Sequence, residues 1–174
     1  HIARQSIEAV VSKHDIPKIV IMSPVLQECC GAFVTLHKHQ ELRGCIGYVD
    51  STSPLWEVVQ EVAAKAALGD PRFTSVQHEE LQHIEIEVSV LSPLKEITSV
   101  SEIEIGTHGL VVELGSHRGL LLPQVAVSTG WDKETFLEQT FRKSGLPPHL
   151  RHHKDTKLFA FTAEVFNETS VSQP

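Results

Sequence analysis

A guanidinium, a thiol and two glycines stand together in the stretch Leu42-Arg43-Gly44-Cys45-Ile46-Gly47, inside a run otherwise made of apolar, β-type residues. An unpaired charge is costly in such a run, so Arg43 requires either an acidic partner or an anionic ligand held bidentately by its planar fork. Glu85, Glu87 and Asp70 are the acids considered as partners. Cys45 is a candidate nucleophile, because Arg43 two residues away favours its thiolate and backbone amides around Gly44 and Gly47 offer oxyanion donors. The competing reading of Cys45 is a small buried residue in an apolar strand. Gly44 and Gly47 either serve backbone geometry and close packing or admit a ligand. Their G-x-x-G spacing alone is no nucleotide motif.

The remaining candidates are scattered along the chain. Asp70 and Arg72 flank Pro71 and either fix their own loop or line a cleft. Glu85 and Glu87 share one strand face, where paired carboxylates do acid/base work or simply meet solvent. His108 before Gly109 is a possible general base or a structural loop residue, and Gln124 near a helix start orients a ligand or caps the chain. His37-x-His39 and His152-His153 lack a second ligand pair at zinc-like spacing, and H-E-x-x-H is absent. Neither a metal nor another cofactor is expected.

These residues depend on elements that the hydrophobic periodicity outlines. Apolar positions over Ile2 to Lys13 follow a helical period, and Pro17 and Pro24 then interrupt regular structure. Ala32 to His37 and Leu42 to Gly47 form a hairpin, its turn centred on His39 and Gln40. That turn sets His37 against Leu42, Thr35 against Gly44 and Val34 against Cys45. Arg43 and Cys45 then share a face with Val34 and Leu36, and His37 lies on the other face unless Gly44 introduces a bulge.

Ser53 caps a helix with Pro54 at its first position, carrying Leu55, Val58, Val59, Val62, Ala63, Ala66 and Ala67 before Gly69 ends it. His83 to Leu91 alternates as a half-buried strand. A short strand and a short helix near Val100 to Ile103 come next. A second hairpin joins Leu110 to Leu114 with Gly119 to Leu122. Helices follow from Pro123 to Ser128 and from Asp132 to Gly145, then a His-rich loop over Arg151 to Lys157 and a strand from Leu158 to Phe166. Thr169 to Pro174 reads as a loose tail. Hairpins mixed with helices, without a βα rhythm, predict an α+β fold with a mainly antiparallel sheet.

Composition narrows the function classes. The 174 residues suit one domain, and 41% hydrophobic with 21% charged residues is ordinary for a globular chain. The net charge of −7 and the lack of a basic cluster with interleaved aromatics exclude nucleic acid as an expected partner. Three cysteines, two of them adjacent, make no disulfide framework and predict a reducing cytoplasm. No apolar run reaches the length of a membrane span.

Several separate stretches, taken in order, resemble one family. They are G-A-F-V-T-L and L-R-G-C-I-G, D-P-R-F at Asp70 to Phe73, I-E-V-S-V-L-S-P at Ile86 to Pro93, H-G-L at His108 to Leu110 and G-L-L-L-P-Q-V at Gly119 to Val125. Together they resemble the AMMECR-type domain, in microbes protein A of the AmmeMemoRadiSam set. The resemblance implies one AMMECR-type domain over residues 1–174, with flanking helices and two lobes. The larger lobe would come from both chain ends, the smaller from the middle, with a cleft between them. It also implies association with a Memo-like protein and a radical-SAM protein. The resulting expectation is an accessory or partner-binding module in that modification pathway. The alternative is an enzyme acting on a small anionic substrate in a cleft containing Arg43 and Cys45.

Overall fold

The computed structural model describes residues 1–168, and the tail expected over Thr169 to Pro174 lies outside them. In chain order the elements are α1 (Ile2–Val11), β1 (Ala32–Lys38), β2 (Glu41–Tyr48), α2 (Leu55–Leu68), β3 (Ile84–Leu91), β4 (Lys95–Ile97), β5 (Gly109–Leu114), β6 (His117–Leu121), α3 (Pro123–Thr129), α4 (Lys133–Lys143), β7 (Lys157–Phe161) and β8 (Ala163–Asn167). Short 3-10 turns occupy Val25–Gln27, His78–His83, Val100–Glu102 and Pro148–His152. The protein is α+β, and its strands are divided between two four-stranded sheets. Of the described residues, one compact unit comprises 1–91 together with 164–168, and the other comprises Ser92–Ala163. The larger unit is thus built from both ends, as expected.

The first unit holds a sheet of order β2-β1-β3-β8, with β1 antiparallel to both β2 and β3. α2 forms because its apolar residues recur at helical spacing, and all seven predicted positions from Leu55 to Ala67 are buried. They pack on Val34 and Leu36 of β1 and Ile84 and Ile86 of β3, with Ile7 of α1 closing the same core. Each Val, Leu or Ile among them contributes about 1.5 to 3 kcal/mol on burial. Ser53 does not cap this helix. Pro54 is the N-cap residue instead, extended at ψ 148°, because it bridges Cys29 and the Leu55 N–H donates to the Glu28 carbonyl.

The hairpin register differs from the simple expectation. The turn does centre on His39 and Gln40, both at positive φ, and His37 does oppose Leu42. Arg43 is then extra: Leu36 opposes Gly44, Thr35 opposes Cys45 and Val34 opposes Ile46. A bulge of one residue shifts every later pairing by one and reverses its face. Cys45 therefore shares a face with Thr35 and His37, not with Val34 and Leu36.

The second unit has a sheet of order β4-β7-β5-β6. Phe136, Leu137 and Phe141 of α4 are buried with Leu110 and Val112 of β5 and Ala160 of β7. Asp132 caps α4 as predicted, its carboxylate accepting from the Thr135 N–H at 2.8 Å. β6 begins at His117, closer to the turn than expected, because Gly115 at φ 59° makes a two-residue connection. The single strand expected over Leu158 to Phe166 is two strands. β7 pairs with β4 and β5, whereas β8 joins the first unit's sheet, and the chain changes sheets at Thr162.

Candidate functional site

β2 is an edge strand, so half of its backbone groups face away from β1 and need other partners. The loop after α2 supplies them at Cys45. Asp70 Oδ2 accepts from the Cys45 N–H at 2.8 Å, and Arg72 Nη2 donates to the Cys45 carbonyl at 3.2 Å. The two side chains are joined by Arg72 Nε to Asp70 Oδ1 at 2.9 Å and Nη2 to Oδ2 at 2.7 Å, and Oδ1 also accepts from the Arg72 N–H. An acid and a base thus stand in for a neighbouring strand over one residue. The Arg72 guanidinium, helped by the Cys45 and Arg72 N–H groups, holds the Asp70 carboxyl well below the usual carboxylate range. Asp70 is only 2% exposed in its side chain, so the pairing is the condition for its burial.

Arg43, projected by the bulge, reaches an acid that sequence reasoning missed. Its Nε and Nη2 donate to Glu80 at 3.1 and 2.9 Å, Nη1 donates to the Thr74 carbonyl at 2.7 Å, and Nη2 also approaches the Ser75 carbonyl. Glu80 receives Lys38 Nζ at 2.8 Å and the Gln77 N–H at 2.9 Å as well. Arg43, then Lys38 and that amide, lower the Glu80 carboxyl to about 2 against the opposing effect of burial. Glu85, Glu87 and Asp70, the acids considered for Arg43, are not its partners. Nothing in the spacing singles out Glu80, because its turn is folded back onto the hairpin only by tertiary packing.

The glycines of the motif permit close approach. A Cβ on Gly44 would lie 2.3 Å from the Ala66 carbonyl oxygen of α2, and one on Gly47 would lie 2.3 Å from the Phe33 ring. Both are packing positions on opposite faces of β2.

The face turned away from α2 carries a polar row. Cys45, Thr35 and Glu87 stand abreast on β2, β1 and β3, and the Thr35 hydroxyl donates to Cys45 Sγ at 3.3 Å. His37 opposes Glu85 in the next row, and Ser89 opposes Phe33 in the row on the other side. Ser89 is 1% exposed and its hydroxyl has no hydrogen-bond partner among the described residues. Sequence reasoning singles out neither Thr35 nor Ser89: it sets Thr35 against Gly44, and Thr35 meets Cys45 only through the bulge, the alternative that glycine leaves open. His108 and Gln124 belong to the second unit. His108 Nδ1 accepts from the Glu104 N–H at 3.2 Å, and Gln124 lies in the first turn of α3. Cys29, Cys30 and Cys45 are free, and burial, then Glu28, pushes the Cys30 thiol up. Among the described residues no three His, Cys, Asp or Glu side chains are grouped to hold a metal ion, and no helix is long and apolar enough to cross a membrane.

The fold and this pinned edge define an α+β protein of two antiparallel sheets whose L-R-G-C-I-G strand is braced by a D-P-R-F loop. A sequence model of the AMMECR1 family matches residues 1–166, and the chain belongs to that family. It is 47% identical over 150 residues to a protein of Methanothermobacter thermautotrophicus, covering 83% of this chain and 78% of that one. A protein of Thermococcus onnurineus is 47% identical over 161 residues, covering 87% and 78% of the two chains. The crystal structure of the uncharacterised protein PH0010 from Pyrococcus horikoshii is similar with a TM-score of 0.89 and 42% identity, over 96% of this chain and 88% of that one.

Proposed function

We propose that this chain is an accessory, partner-binding module of a modification pathway, and that its partners are the Memo-like and radical-SAM proteins with which its family is associated. The observation that carries this reading is the use to which the motif's charges are put. Arg43 is held by Glu80 and two carbonyls, Asp70 and Arg72 hold each other and the Cys45 backbone, and Gly44 and Gly47 receive neighbouring atoms. Such groups build a rigid edge and leave no assembled set of nucleophile, base and orienter. The free thiols suit a reducing cytoplasm. Calorimetric titration of the purified chain with each purified partner tests the proposal. A saturable complex with at least one of them is expected, unchanged by Cys45→Ser. Absence of heat and of co-elution with both sinks it.

One observation favours an enzyme as the second reading. The bulge puts the Cys45 thiol on the face of His37 and within reach of the Thr35 hydroxyl. On this reading the thiol attacks a small substrate, and an anionic group of that substrate competes with Glu80 for Arg43. Alkylation by iodoacetamide across pH, with Cys29 and Cys30 replaced by Ser, separates the readings. A nucleophile reacts with an apparent pKa well below the free value of about 8.5. A thiol inert until the protein unfolds rules the enzyme out.

A further inference from the structure

The first unit has a groove that none of these roles uses. α2 covers β1 and β2, but over β3 and β8 the helical layer leaves a cavity of about 480 Å³. Its walls are largely apolar, with Val25, Leu55 and Val59 on one side and Val88, Val90 and Phe166 on the sheet. Val25 is 60% exposed and Phe166 46%, and both line the cavity. A volume of this size is that of a built ligand or side-chain site.

Two further features border the cavity. β8 is an edge strand, and among the described residues no strand lies beyond it, so its outer backbone groups are a template for another chain. Next to the cavity, and sharing Arg4 and Glu168 with it, lies a polar depression lined by Glu8, His78 and Glu79. Arg4 contributes no free positive charge there, because it is held by Glu168, by the Leu81 and Ile84 carbonyls and, at 4.0 Å, by the half-exposed Glu8. The depression is acidic, as is the unit, which holds all of the chain's net negative charge.

We propose that this groove receives an extended segment of a partner protein, which adds as a strand to β8. The segment alternates apolar and polar side chains and carries Lys or Arg at one end. Backbone pairing along β8 supplies affinity, every second side chain enters the apolar cavity, and the cationic end lies against Glu8 and Glu79. Charge complementarity selects this occupant over an acidic peptide, and the open edge selects a strand over a helix. The inference rests on the partner-binding reading only for the kind of occupant. The groove itself is independent of the Cys45 edge.

The test pans a phage-displayed library of random peptides on the immobilised full chain, then measures synthetic winners by fluorescence anisotropy against Phe166→Asp, Val25→Glu and Glu79→Lys. All three sites are at the surface, so the variants are expected to melt as the parent does. The expected result is an enriched pattern of alternating apolar residues with Lys or Arg. Affinity should fall about tenfold or more in each variant. An acidic pattern, no pattern, or binding indifferent to all three variants overturns the proposal. So does binding seen only in a chain ended at Glu168, which would make the chain's own continuation the occupant. A dimer in sedimentation that Phe166→Asp dissolves would make the occupant a second copy, and overturns it equally. If the peptides bind as expected but neither purified partner protein does, the groove stands and the partner-binding reading fails. If a partner binds and the three variants leave that complex intact, the module docks elsewhere and the groove proposal fails.

Discussion

Glu80 takes two cations and a backbone amide onto one carboxylate, so its ionised form is stabilised in the folded protein more than in the unfolded chain. Its carboxyl is lowered from 4.5 to about 2. A lowered carboxyl contributes stability above its unfolded value and loses that contribution as pH falls through the folded one. We expect Glu80→Gln to be less stable than the parent at neutral pH, by on the order of 2 to 3 kcal/mol in urea unfolding. The gap should narrow between pH 4.5 and about 2. A gap that stays constant over that range would show that Glu80 acts through shape and not through charge. The need of Arg43 for an acid followed from its apolar neighbours, and the identity of that acid did not. Desolvation requires a partner, but only the fold decides which distant carboxylate arrives.

At the scale of elements, the bulge at Arg43 makes the hairpin what it is. Without it, Cys45 would point under α2 and Arg43 could not reach Glu80. Alternation of apolar and polar residues marked both strands and the turn correctly, yet an inserted residue leaves no trace in a pattern of period two. The glycines on either side of Cys45 give a matched test. A methyl on Gly44 meets the Ala66 carbonyl oxygen at 2.3 Å, and a methyl on Gly47 meets the Phe33 ring at 2.3 Å and the Ala32 carbonyl oxygen at 2.5 Å, so at both positions backbone must shift. We expect Gly44→Ala and Gly47→Ala each to cost about 3 kcal/mol or more by chemical denaturation. A cost below about 1 kcal/mol at either position would mean that the neighbouring backbone yields there.

At the scale of the molecule, each unit has its own sheet, its own helices and its own core. Ser92–Ala163 is a continuous stretch, so it needs nothing from the first unit to close its chain. A fragment of those residues is expected to give dispersed amide resonances and a cooperative urea transition at lower denaturant than the full chain, as befits a small core. A collapsed spectrum without cooperativity would show that the core is incomplete. From the sequence alone came the helices with clear apolar stripes, the hairpins with their turn residues, the cap at Asp132, the antiparallel α+β class and the family. All of these depend on local periodicity, on turn and cap chemistry or on contiguous motifs, which neighbouring residues determine among themselves. The tertiary structure alone decided the bulge that turns Cys45 to the face of Thr35, the pairing of Arg43 with Glu80, the Asp70–Arg72 clamp on an edge strand, and the split of Leu158 to Phe166 between two sheets. Each of these joins groups on different elements, such as Arg43 with Glu80 or Asp70 with the Cys45 backbone, and their energies of pairing and burial exist only once the elements have packed.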